Sequence, residues 1–579
     1  MYLCPKEFFS NLFIKNMKKI KHFFIPLAIL TGFLLLIIVA SRYFYTRFDL
    51  TYDKRYTLSE TTQEVLQKVQ HPIIIDVLMK GNIPAEYKRL QSETLQLLEE
   101  YRSKNKNIIF KFSNPLNDDN NADKILQELT YYGLLPVQIT TAQEGKTSQE
   151  YIFPWAIVNS GEKSEKVALL KNKLGASDQE RIQFSVQNLE YAFTDAIHKI
   201  LLQKQKNIAI LKSNGTLSDI QMADFLQLEG EYYNLAPFTL DSVATNPEKT
   251  LKQLSDYHLF IIPKPTLPFS DAQKQIIDQY IMQGGRILWL IDQVAVNLED
   301  MYENNGRTMA MPLDLNLGDL FFKYGFRINY DLVNDLYFTQ IVVAQGDGSQ
   351  TRYTPIPWLY NPMILPKNNH LINNNLDAIR LQFASGIDTL ANSIKKHILL
   401  TSSALSKLEG TPREIRLETS SKSMDKNGYV QGNYPIAVLL EGNFTSVYKN
   451  RVKPIDLQNT ISDGKYSKMI IISDGDIIRN DISKGEPLEL GYDKWTNNYY
   501  DNKAFLQNCV NYLLDDTNFL QLRNKKVSLA FLDKKKLTNE YKQKWQILTL
   551  FLPILLIILL GVVIQFWYRK TFVSAKKTH

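Results

Sequence analysis

Apolar positions fall into two patterns along this chain. Two long unbroken runs lie near its ends, and between them short apolar runs alternate with amphipathic stretches. The long runs, 23–40 (FFIPLAILTGFLLLIIVA) and 547–564 (ILTLFLPILLIILLGVVI), are eighteen uncharged residues each. At ~1.5 Å per residue each makes a helix of about 27 Å, close to the ~30 Å hydrocarbon thickness of a bilayer. Tyr43, Phe44 and Tyr45 follow the first run, and Trp545, Trp567 and Tyr568 flank the second. Aromatic residues gather in this way at membrane interfaces, so the pattern predicts transmembrane helices over 23–45 and 546–568. The first run is longer than the ~7–15 apolar residues of a cleaved signal peptide, and Val39-Ala40-Ser41 is a weak cleavage site. It reads as an uncleaved anchor.

Between the runs the period changes. Ser59 is a predicted N-cap for a helix whose apolar side is Val65, Leu66 and Val69. IIIDVLM (73–79) and NIIFKFSNP (107–115) read as strands on either side of an amphipathic helix, 86–102, with Tyr87, Leu90, Leu97 and Tyr101 on one face. Residues 151–158 and 166–170 flank Asn159-Ser160-Gly161 and predict a hairpin. The resulting order, β-α-β-α-β-β, is that of a thioredoxin-like domain over 46–175, without the Cys-x-x-Cys of a redox enzyme. A helix over 183–202, with Val186, Leu189, Phe193, Ile197 and Ile200 in register, reads as a linker within 176–206. Strands at 207–215, 258–265, 286–292 and 468–481 then alternate with helices near 218–231, after Ser270, and over 502–516. That alternation predicts an α/β domain over 207–520, its parallel sheet covered on both faces. The stretch 340–460, rich in Pro, Asn and Gly, yields only scattered short strands.

Composition narrows the function. The 579 residues are 44% hydrophobic and 22% charged, which excludes a disordered chain. Two Cys exclude a disulfide framework and a Cys-rich zinc module. The net charge of +7 sits in two tails, carried by Lys6, Lys15, Lys18, Lys19 and Lys21 and by Arg569, Lys570, Lys576 and Lys577. The stretch between them is close to neutral, which argues against nucleic acid as a partner. Basic tails at 1–22 and 569–579 predict two cytoplasmic termini, and hence a two-pass inner-membrane protein with 46–545 in the periplasm. A basic segment over 521–545, with Arg523, Lys525, Lys526, Lys534, Lys535, Lys536, Lys542 and Lys544, falls on the outer side. Long domains translocate largely regardless of such charges.

Motifs that carry chemistry are few. No P-loop, H-E-x-x-H, G-x-S-x-G or EF-hand pattern occurs, so no catalytic residue, cofactor or metal site is predicted. Cys509 shares a helix face with Phe505, Tyr512 and Leu513 and reads as core. What remains is a set of polar residues at the carboxyl ends of apolar strands: Asn214, Lys264, Asp292, Asp474 and Asp476. Open α/β sheets bind ligands along that edge, so these five are the ligand or docking candidates; the blander reading makes the aspartates turn and helix caps. Three converging carboxylates would repel one another unless a cation, a basic residue or a bound proton offset them. Lys264 and Arg479 are close enough in sequence for an ion-pair network, which is simpler than a metal site.

Five longer stretches are more specific than any motif: FDLTYDKRYTLSETTQEVL, KPTLPFSDAQKQIIDQYIMQGGRILWLID, LLEGNFTSVYKNRV, KMIIISDGDIIRND and LGYDKWTNNYYDNKAFLQNCVNYLLDD. Spanning about 48 to 516, they resemble the GldG family, the gliding-motility-associated ABC-transporter auxiliary proteins of Bacteroidota. The resemblance implies a non-enzymatic subunit, often labelled substrate-binding, that works with a separate ABC ATPase subunit and an ABC permease subunit. It also implies a middle domain similar to class I glutamine amidotransferases, a domain type that serves as an interaction module in an intraflagellar-transport subunit. Amidotransferases need a Cys at a tight strand-to-helix turn, whereas here strand 286–292 runs into Asp292-Gln293-Val294. No catalytic residue carries over, which disfavours a hydrolase or amidotransferase. A structural envelope protein similar to polysaccharide chain-length regulators shares the two-span layout, but the β/α alternation over 207–292 argues against it.

Overall fold

The computed structural model describes residues 31–39, 57–81, 83–117, 121–143, 146–345, 352–420, 428–523 and 539–568. It is a mixed α/β structure with several sheets. In the first unit the Ser59 hydroxyl accepts from the Thr62 N–H at 3.1 Å and caps helix α1, Glu60–Gln67. Helix α2, Ala85–Lys104, buries Tyr87, Leu90, Thr94, Leu98 and Tyr101. Leu97 packs partly buried against this core as expected, and Leu98 beside it is fully buried, because spacings of three and four keep one stripe inward. Strand β1 (Ile73–Val77) pairs parallel with β2 (Ile108–Phe112) and antiparallel with β3 (Trp155–Ser160), which forms a hairpin with β4 (Lys163–Ala168). The hairpin turns two residues later than expected, where Gly161 supplies a positive φ of 58°. Tyr151 lies outside it, in a separate hairpin of Val137–Gln143 with Lys146–Ile152.

The expected linker helix is instead a wall of this unit. Helix α3, Asp178–Leu201, starts with a capping box between Ser177 and Glu180. Its Ile182, Val186, Leu189, Phe193, Ile197 and Ile200 enter the same core as β1 and α2. Burying Phe193 alone contributes about 1.5–3 kcal/mol, far more than a solvated linker gains per residue.

The second unit is built on a seven-stranded sheet. Strands β5 (Asn207–Leu211), β6 (Asn234–Phe238), β7 (Leu259–Pro263), β8 (Arg286–Leu290) and β11 (Asp463–Ile472) run parallel. Strands β9 (Lys395–Thr401) and β10 (Pro435–Thr445) add antiparallel beyond β11, giving the order β9-β10-β11-β8-β7-β5-β6. The central strands are apolar at nearly every position because both faces are covered by separate hydrophobic cores. Helix α4 (Ala223–Tyr232) and helix α6 (Asn502–Leu513) pack on one face, and helix α5 (Asp271–Met282), capped by Ser270 and Gln273, packs on the other. Cys509 on α6 is fully buried, as its register predicts. The stretch 340–460 is more regular than its composition suggests, since it supplies β9 and β10.

The two units meet at helix α7, Thr517–Arg523, where Phe519 lies 4.6 Å from the His198 ring of α3. Arg523 donates to the Gln507 side chain at 3.0 Å and to Asn508 and the Tyr191 hydroxyl, with its guanidinium 4.1 Å over the Tyr191 ring. It is therefore a junction residue between the two units. Helix α8, Asn539–Tyr568, contains a stretch, Tyr541–Trp567, long and apolar enough to cross a membrane and nowhere buried. Of the first expected span, residues 31–39 are helical and exposed. The rest of that span, both basic tails and the lysines of 525–536 lie outside the described residues.

Candidate functional site

Where strands β7, β8 and β11 leave the sheet, their apolar runs give way to Lys264, Asp292 and Asp474-Gly475-Asp476. The Lys264 ammonium sits between two carboxylates, 3.1 Å from Asp292 and in contact with Asp476. Arg479 approaches the other Asp476 oxygen at 3.6 Å and pairs with Glu299 at 3.1 Å. Asp292 also accepts the Gly475 N–H at 2.5 Å. Asp474 accepts two backbone N–H groups, from Asp476 at 2.8 Å and from Gln382 at 2.7 Å. Gly475 is required by packing: a Cβ there would stand 2.7 Å from the Lys264 side chain. Lys264 itself adopts a positive φ of 48°, which turns its side chain back over the strand ends.

Burial dominates the electrostatics. It raises the Asp474 carboxyl well above the usual carboxylate range, and the neighbouring Asp292 and Asp476 charges push it the same way. Burial also raises Asp292, partly opposed by Lys264. For Lys264, burial alone would lower the ammonium, but Asp292 and Asp476 outweigh it and hold its pKa above the ordinary lysine value. Lys264 and Arg479 face the Asp292 and Asp476 carboxylates, while Asp474 is held by its two backbone N–H donors. Among the described residues no group of three or more His, Cys, Asp or Glu is placed to hold a metal ion.

Asn214 does not join this cluster. Its amide reaches the Pro268 carbonyl at 3.3 Å and Gln273 at 3.1 Å, at the capped start of α5. This matters because strand order reverses between β5 and β7, the point where open α/β sheets lodge ligands. Here the chain fills that crevice with its own loop. The Leu267 N–H donates to the Asn214 carbonyl at 3.0 Å and Thr266 Oγ1 to the Gly215 carbonyl at 2.9 Å. A Cβ on Gly215 would stand 2.2 Å from Thr266 Oγ1.

The open space lies on the other side of the cluster. A cleft of about 580 Å³ is lined by Asp474, Asp476, Arg479, Arg380 and Gln382 together with the aromatic pair Tyr353 and Trp495. Gln382 and Arg380 were invisible to sequence reasoning because they belong to the irregular 340–460 stretch and reach the strand ends only through tertiary contact. Arg479 was legible from its position three residues after Asp476.

A parallel-centred α/β sheet whose carboxyl edge is locked by an ion-pair network defines the class of the second unit. A family model described as an ABC-type uncharacterized transport system matches residues 205–509, more than half of the chain. The chain belongs to this family and is an auxiliary component of an ABC-type transport system. A domain family of unknown function matches residues 52–159. No curated protein matches the chain. The solved structure of the mmIFT52 N-terminal domain is 12% identical, covering 53% of this chain and 97% of that one with a TM-score of 0.30.

Proposed function

We propose that the protein is a non-enzymatic auxiliary subunit of an inner-membrane ABC transporter of the gliding-motility class, pinned by helices at both ends. Its large periplasmic region docks on the permease subunit, and a separate ATPase subunit supplies the energy. The observation that carries this reading is the family match over 205–509, on a chain with a long exposed apolar helix over Tyr541–Trp567. The resemblance of the five sequence stretches to the GldG family supplies the gliding-motility assignment. In the same reading the first unit is thioredoxin-like and the second is amidotransferase-like without its chemistry. Two features support the loss of catalysis: Asp292 stands at the turn where an amidotransferase carries its nucleophile, and it is tied to Lys264. Affinity purification of the tagged chain from native membranes tests the proposal. An ABC ATPase and a permease should co-purify; recovery of polysaccharide-synthesis proteins alone would replace it with the envelope-protein reading.

A further inference from the structure

One wall of the 580 Å³ cleft is the edge of a sheet. Strand Phe338–Gln345 is the end strand of a three-stranded sheet and, among the described residues, pairs on one side only, with Arg352–Ile364. Gln340 and Val342 stand opposite Pro357 and Pro355. A proline nitrogen has no hydrogen to give, so these prolines mark the pairs that exchange no hydrogen bonds across the ladder. The backbone groups of Gln340, Val342 and, by alternation, Ala344 therefore point away from the partner strand. The Tyr302 hydroxyl confirms the direction, because it donates to the Val342 carbonyl from the cleft side at 3.3 Å. Gln340, Val342 and Ala344 all line the cleft.

The Tyr302 hydroxyl covers this edge at the Val342 carbonyl, where an added strand must displace it, and the strand itself carries none of the usual protection. Its sequence, FTQIVVAQ, has no charge and no proline, whereas edges that must stay unpaired carry such residues. Side-chain recognition comes from the same sheet, whose far strand carries Arg380 and whose middle strand carries Tyr353. Arg380 is held by Asn502, which accepts its backbone N–H at 2.9 Å and donates to its carbonyl at 2.7 Å. Arg380 lines the cleft and has no ion-pair partner among the described residues. At the rim, Tyr353 and Trp495 stack at 5.2 Å, 61% and 51% exposed. The volume lies within the range of about 300–1,000 Å³ typical of ligand clefts.

We infer that the cleft binds an extended peptide segment of a partner protein, which adds as a strand to Phe338–Gln345, places a carboxylate on Arg380 and lays an apolar side chain on Tyr353 and Trp495. Main-chain pairing supplies affinity in this mode, and pockets for alternate side chains supply selectivity. The inference is independent of the transporter proposal, since it rests on the edge geometry, Arg380 and the Tyr353–Trp495 pair.

The test uses the purified full chain in detergent and a fluorescein-labelled peptide, acetyl-Thr-Val-Glu-Val-Thr-Tyr-Val-amide. Fluorescence anisotropy should rise saturably, and deuterium uptake over 338–345 should slow when peptide is added. Ala344→Pro and Val342→Pro each remove an outward N–H that the ladder does not use, so both should keep the wild-type melting temperature. Each should weaken binding by roughly tenfold or more. Arg380→Gln, or the peptide with Lys in place of Glu, should do likewise, and Arg380→Gln keeps the test open if a proline variant misfolds. Absence of binding, equal binding by these variants, or unchanged exchange over 338–345 would overturn the inference. So would a dimer of the chain that Ala344→Pro dissociates while no peptide binds, which would assign the edge to a second copy.

Discussion

Glu229, near the end of α4, is fully buried, and neither carboxylate oxygen has a hydrogen-bond partner among the described residues. Burial, then the nearby Glu231 charge, raises its pKa well above the ordinary glutamate value. The folded state therefore holds a proton that the unfolded chain releases above its carboxyl pKa of ~4.3. The stabilising contribution is complete below that value and is lost as pH rises to the folded pKa, at about 1.4 kcal/mol per pH unit. Glu229→Gln removes this loss. Thermal melts should show the variant more stable than wild type at pH 7.5 and the difference shrinking toward pH 4.5. A gap that does not change with pH would disprove the ionisation argument. Cys509, in the same environment, is likewise held well above the ordinary thiol range by burial, which makes it a small core side chain rather than a nucleophile.

Helix α7 shows how little a short element says about itself. Its seven residues are too few to announce a period, yet Phe519 and Arg523 join α3 of the first unit to α6 of the second. Read by composition, Arg523 belongs with the lysines that follow it; read in three dimensions, it is half-buried with three side-chain acceptors. Hydrogen bonds to a charged group contribute roughly 1.5–3 kcal/mol. Arg523→Met should therefore lower stability by about that amount in urea unfolding of the full chain. Lys542→Met, on the exposed start of α8, should change it by less than ~0.5 kcal/mol. Equal effects would mean that α7 does not couple the units. The seven-stranded sheet shows the opposite case: its parallel strands announce themselves as apolar runs, whereas β9 and β10 hide in a Pro- and Asn-rich stretch.

For the whole molecule, the proposed arrangement puts both termini on the cytoplasmic side. Protease added to intact spheroplasts should digest the region 46–545 while a C-terminal tag stays protected; loss of the tag would overturn the topology. The chain's local sequence alone determined the membrane-spanning capacity of 547–564, the alternation of β5 to β8 with helices, the capping of α1 by Ser59, and the core position of Cys509. These are local properties, set by hydrophobic spacing and by side chains bonding to backbone three residues away. The sequence also placed Lys264, Asp292, Asp474 and Asp476 at strand ends, because an apolar strand must become polar where it leaves the core. Only the tertiary structure decided that these four meet, that Asn214 turns away to α5, and that the crevice at the strand-order reversal is filled by residues 264–268. It alone brought Arg380 and the edge of Phe338–Gln345 to the walls of one cleft. Those outcomes depend on which strands become neighbours, and pairing across more than a hundred residues leaves no periodic trace in either partner.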